Sequence, residues 1–108
     1  MDPNARVTDQ GKWMNPYISI SGRYIALYSS SIQYGWIRIQ REEILSKLRD
    51  SLSRLPTGAW PSGRVIGLRR HFINLDLEGR AEENWETVIG VLTECGFKIT
   101  QLSCTLQT

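Results

Sequence analysis

Residues 34–55 read YGWIRIQREEILSKLRDSLSRL, and a change of period inside this stretch decides the fold. From Tyr34 to Gln40 apolar and polar residues alternate. Ile37 and Ile39 have one parity, and Trp36, Arg38 and Gln40 have the other. A period of two describes a strand with one buried face. From Arg41 to Leu55 the period lengthens. Ile44, Leu45, Leu48, Leu52 and Leu55 recur at helical spacing, while Arg41, Glu43, Lys47, Asp50 and Arg54 lie off that stripe. Pro56 cannot continue the helix, and Gly58 follows it. A one-sided strand running into a one-sided helix predicts a helix layered on a sheet.

The rest of the chain extends this pattern. Upstream, Tyr17-Ile18-Ser19-Ile20-Ser21 alternates, and Arg23 to Tyr28 is rich in aromatic and β-branched residues, so two strands are expected around Ser21-Gly22. Ser29-Ser30-Ser31 and Pro56 to Gly63 read as loops. Downstream, Ile66 and Leu68 share one parity, and Ile73, Leu75 and Leu77 share the other. Two strands joined by a turn or bulge at Arg69-Arg70-His71 would keep both sets inside. Arg80 to Cys95 reads as a second helix, with Ala81, Trp85, Val88, Ile89, Leu92 and Cys95 on its apolar face. Glu82, Glu83 and Glu86 occupy its first turns, and Gly96 is a natural stop. Phe97 to Leu106 reads as a last strand. The expectation is an α+β fold: a mostly antiparallel sheet of about five strands with two amphipathic helices on one face.

With 108 residues the chain fits one domain, expected over residues 15–108 behind a polar leader of residues 1–14. The stretch Met1 to Lys12 has no apolar segment of the secretory kind, and no apolar run is long enough to span a membrane. Cys95 and Cys104 are the only cysteines, and no Asn-x-Ser/Thr acceptor occurs. Two free thiols in a cytoplasmic or nuclear protein are expected. The net charge of +2 hides an asymmetry. Arg23 to Arg70 holds nine Lys or Arg against three Asp or Glu, while Asp76 to Glu94 holds six acids and one Arg. A basic side and an acidic side follow, able to meet a polyanion or to stack head to tail.

Catalysis finds little support in these residues. His71 is the single histidine, between Arg70 and Phe72, where positive charge disfavours its protonated form. A small hydrolase with His71 as base is the weakest reading. One His and two separated Cys offer no metal set, and Gly58, Gly63 and Gly67 form no phosphate-cradling loop. No catalytic residue, metal or cofactor is expected.

The aromatic and basic residues carry the functional expectation. With Ile37 and Ile39 turned to the core, Trp36 and Arg38 stand together on the opposite sheet face, where Tyr24 and Tyr28 can join them. Arg64, Arg69 and Arg70 add a basic cluster, and Trp60 lies in the Pro/Gly loop, where it either caps the core or meets a partner. Aromatic planes beside guanidinium groups suit single-stranded nucleic acid. They suit a protein partner equally, because Trp, Tyr and Arg anchor interfaces. The expectation is a non-enzymatic binding module, homo-oligomeric and most simply a dimer, that contacts nucleic acid. The alternative is a protein-interaction or self-assembly domain with no nucleic-acid role.

Overall fold

The computed structural model describes residues 13–70 and 80–102. Along the chain run β1 (Tyr17–Ile20), β2 (Tyr24–Tyr28), β3 (Trp36–Gln40), α1 (Ile44–Ser53), β4 (Val65–Arg70), α2 (Arg80–Glu94) and β5 (Lys98–Gln101). The five strands form one sheet in the order β3-β2-β1-β4-β5. The α+β class, the five strands and the two helices are as the sequence predicts. Leader residues 1–12, the strand expected at Ile73, Leu75 and Leu77, His71 and Cys104 lie outside the described residues.

The pairing differs from a mostly antiparallel sheet, because the sheet is mixed. β1–β2 and β2–β3 are antiparallel, whereas β1–β4 and β4–β5 are parallel. A helix precedes both β4 and β5, and a helical crossover returns the chain to the end from which the last strand began. Of the turn or bulge expected at Arg69-Arg70-His71, Arg69 and Arg70 are the last two residues of strand β4, and His71 lies outside the described residues.

Both helices pack against one face of the sheet. Ile18, Ile20, Ile25, Leu27, Ile39, Ile66 and Leu68 meet Ile44, Leu48 and Leu52 of α1 and Trp85, Val88 and Leu92 of α2 in one core. Leu45 is not part of it and is 71% exposed. One residue on from Ile44 is a rotation of about 100°, which carries Leu45 off the stripe that faces the sheet. The α2 stop is a Schellman turn: the Phe97 N–H donates to Leu92 O at 3.0 Å and the Gly96 N–H to Thr93 O at 3.0 Å, with Gly96 at φ +82°.

The leader's last residues take part in the fold. Trp13 donates its indole N–H to Pro16 O at 3.2 Å and lies against Gly67 on the face away from the helices. Buried Asn15 clamps the loop before β4, donating to Gly63 O at 2.9 Å and Val65 O at 2.7 Å while accepting from the Ser62 N–H. A Cβ on Gly67 would stand 2.6 Å from Leu102 Cδ1 and 3.0 Å from Trp13 Nε1. Gly67→Ala is therefore expected to cost about 1–3 kcal/mol through overpacking, read as a lower urea midpoint at unchanged slope.

Candidate functional site

Strand register settles which side chains share the face away from the helices. Across β1 and β2, Tyr17 is opposite Tyr28 and Ser19 opposite Ala26. Across β2 and β3, Tyr28 is opposite Trp36, Ala26 opposite Arg38 and Tyr24 opposite Gln40. On the far side, Ser19 neighbours Arg69, Tyr17 neighbours Gly67, and Val65 neighbours Lys98. Four aromatic rings and three cations therefore share one surface, and no strand residue on it is acidic. All seven Asp and Glu among the described residues lie in helical turns.

The rings form a ladder. Tyr17 and Tyr28 stack at 4.7 Å between centroids with planes 7° apart, and Tyr28 stacks on Trp36 at 5.9 Å and 24°. A centroid spacing equal to the strand spacing means that the rings stand upright, faces turned to each other and rims to solvent. Guanidinium groups flank the ladder. Arg38 lies 4.5 Å from the Tyr24 centroid and 5.8 Å from that of Trp36. Arg69 lies 5.6 Å from Tyr17 and 5.8 Å from Tyr28. Both are cation–π distances. Between the two arginines the floor is small, made by Ser19 and Ala26, each 3% exposed. The Ser19 hydroxyl on this floor makes no hydrogen bond to any of the described residues. Trp36, on the outermost strand, keeps one ring face with no stacked neighbour among the described residues.

Of the residues expected from sequence, Trp36, Arg38, Tyr24, Tyr28 and Arg69 come together here. Arg70 does not. The next residue along β4, it points to the helix side, 4.2 Å over the Trp85 ring and 2.8 Å from Glu82. Arg64 and Trp60 also lie elsewhere. Arg64 donates from Nε and Nη2 to Cys95 O, at 3.0 and 2.6 Å, and its guanidinium sits 4.3 Å over Phe97. Trp60 packs on the same Phe97 at 4.9 Å. With Leu52 and Leu55 they line a groove of about 670 Å³ at the ends of α1 and α2. There Arg49 pairs with Glu94 at 2.5 Å, and its hydrogen bond to Cys95, then the Glu94 charge, hold its guanidinium above the ordinary arginine value.

The charge asymmetry along the sequence is largely closed inside the fold. Arg41–Glu83, Arg49–Glu94 and Arg70–Glu82 join the basic segment to the acidic helix. These pairs lie at the surface, where ion pairs contribute little to stability. Arg38, Arg69 and Lys98, on the sheet face away from the helices, are not members of these three pairs. Sequence reasoning missed Tyr17, Ser19 and Lys98. Tyr17 was within reach, because a hairpin at Ser21-Gly22 sets it opposite Tyr28. Lys98 was not, because its place depends on β5 lying beside β4.

Compared with known protein families, curated proteins and solved structures, the chain shows no significant match. No helix among the described residues is long and apolar enough to cross a membrane.

Proposed function

We propose that this domain is a non-enzymatic module that binds single-stranded nucleic acid on the sheet face away from its helices. One observation carries the reading: the strand residues of that face supply three cations and four aromatic rings and no carboxylate. Arg38, Arg69 and Lys98 would meet phosphates. Because the tyrosine faces are already stacked on neighbours, bases would contact ring rims and hydroxyls, with stacking confined to the free side of Trp36. Phosphate contact then dominates, and sequence preference is weak. An intracellular setting goes with this reading, since Cys95 is a free thiol.

The expected result in an anisotropy titration with a fluorescent single-stranded oligonucleotide is a steep salt dependence, with log K falling at a slope of about −2 for three phosphate contacts. Arg38→Ala and Arg69→Ala should each weaken binding and flatten that slope by about 0.7. Trp36→Ala should cost about 1–3 kcal/mol with the slope unchanged. Affinity that ignores salt would sink the proposal.

The rival reading, a protein-interaction or assembly domain, draws on β3, which is an outermost strand of the sheet.

A further inference from the structure

We infer that the chain pairs with a second copy of itself along the outer edge of β3, antiparallel, with Ile37 opposite Ile37 of the second copy. It would set Arg38 of the second copy on the outer side of Trp36, so it leaves the proposed phosphate contacts of the sheet face in place and takes up the side proposed for base stacking.

β3 is the terminal strand on its side of the sheet and pairs only with β2 among the described strands. The direction of its backbone groups follows from two bonds that flank the ladder. The Arg41 N–H donates to Arg23 O at 2.9 Å, and the Ser29 N–H donates to Gly35 O at 3.0 Å. Odd-numbered residues of β3 thus turn their N–H and C=O toward β2, and even-numbered ones turn theirs outward. The edge therefore offers the paired N–H and C=O groups of Trp36, Arg38 and Gln40.

Three two-fold registers keep side chains on matching faces, centred on Ile37, Arg38 or Ile39. Centring on Arg38 sets two guanidinium groups directly opposite each other, and like charges opposite are destabilising. Centring on Ile39 pairs Arg38 with Gln40 of the second copy and leaves the Trp36 groups unpaired. Centring on Ile37 exchanges both bonds between Trp36 and Arg38 of the second copy, and both again by symmetry. It also sets an indole against a guanidinium twice on the face away from the helices, a cation–π arrangement. On the helix face it brings together two half-buried Ile37 side chains. Arg38 thus selects the register, by repelling itself and attracting Trp36. A two-fold axis through this edge runs perpendicular to the sheet, so both aromatic, basic faces lie on one side of a ten-stranded sheet.

The test uses the full chain with Cys95→Ser and Cys104→Ser, adding Ile37→Cys, Arg38→Cys or Ile39→Cys, each mildly oxidised and run without reductant. A non-hydrogen-bonded antiparallel pair holds its Cα atoms about 4.5 Å apart, within disulfide reach. Ile37→Cys should cross-link to a dimer far faster than the other two. Sedimentation equilibrium should give a dimer for the native sequence. It should give a folded monomer for Arg38→Pro, which deletes an outward-facing donor together with the guanidinium, and a retained, weaker dimer for Arg38→Ala, which deletes the guanidinium alone. A native monomer, faster cross-linking at position 38 or 39, or a folded Arg38→Pro dimer would each overturn the inference. If Arg38→Pro does not fold, the cross-linking order alone decides. Oligonucleotide is absent throughout, so failure here leaves the nucleic-acid reading standing, and the reverse.

Discussion

Leu48→Ala is expected to lower the free energy of unfolding by about 2–5 kcal/mol, while Leu45→Ala changes it by less than about 0.5 kcal/mol. The two leucines are three positions apart on α1, and the apolar stripe read from sequence treats them alike. In the fold Leu48 is 0% exposed, between the sheet and α2, so its removal leaves a cavity walled by rigid neighbours. Leu45 faces solvent, and its truncation removes little contact. Urea midpoints for both variants at unchanged slope check the contrast. A small loss at Leu48, or equal losses at both, would take α1 off the sheet.

The second large effect is expected at Asn84. It is buried on α2, and its side-chain amide donates to Ser21 O at 2.7 Å and to Gly22 O at 3.1 Å. These carbonyls belong to the tight turn between β1 and β2, which the Ser21 hydroxyl also closes by donating to Tyr24 O at 2.8 Å. Asn84→Ala strands both acceptors, at about 1–3 kcal/mol for each one left dry. Asn84→Asp should be worse above the carboxylate range, because an ionised acceptor would then face two acceptors. Chemical denaturation of the two variants across pH reads this directly. The Asp variant should recover toward the Ala value as pH falls and its carboxyl protonates.

Much of the architecture was legible because local periods carry it. The step from alternation at Trp36–Gln40 to helical spacing after Arg41 fixed a strand, a helix and their shared buried side. The same alternation placed Trp36 and Arg38 on the face away from the helices, where the structure has them. Pro56 and Gly96 marked the helix ends. Three features were not legible, each for a reason. Asn84 interrupts an apolar face, and a polar residue there is accounted for only by the turn it bonds, far away in sequence. Arg69 and Arg70 look alike in sequence, yet the strand sends one to the tyrosine ladder and the other to Trp85. Parallel pairing of β4 with β1 and β5 leaves no short-range trace, since the partners of a parallel ladder are joined through a long crossover rather than a turn.

The place of β1 in the sheet also bears on the order in which the protein can be made. Its antiparallel partner β2 follows after a three-residue turn, but its parallel partner begins only at Val65, with Tyr17 meeting Gly67 and Ile20 meeting Arg70. The β1–β2–β3 meander and α1 rest on neighbours close along the chain, so loop-closure entropy lets them assemble first. During synthesis the second side of β1 therefore waits, its hydrogen-bonding groups unpaired, until β4 has left the ribosome. What is an interior strand in the finished molecule spends that interval as an exposed edge, the state in which chains of this kind are most open to mispairing and to capture by chaperones.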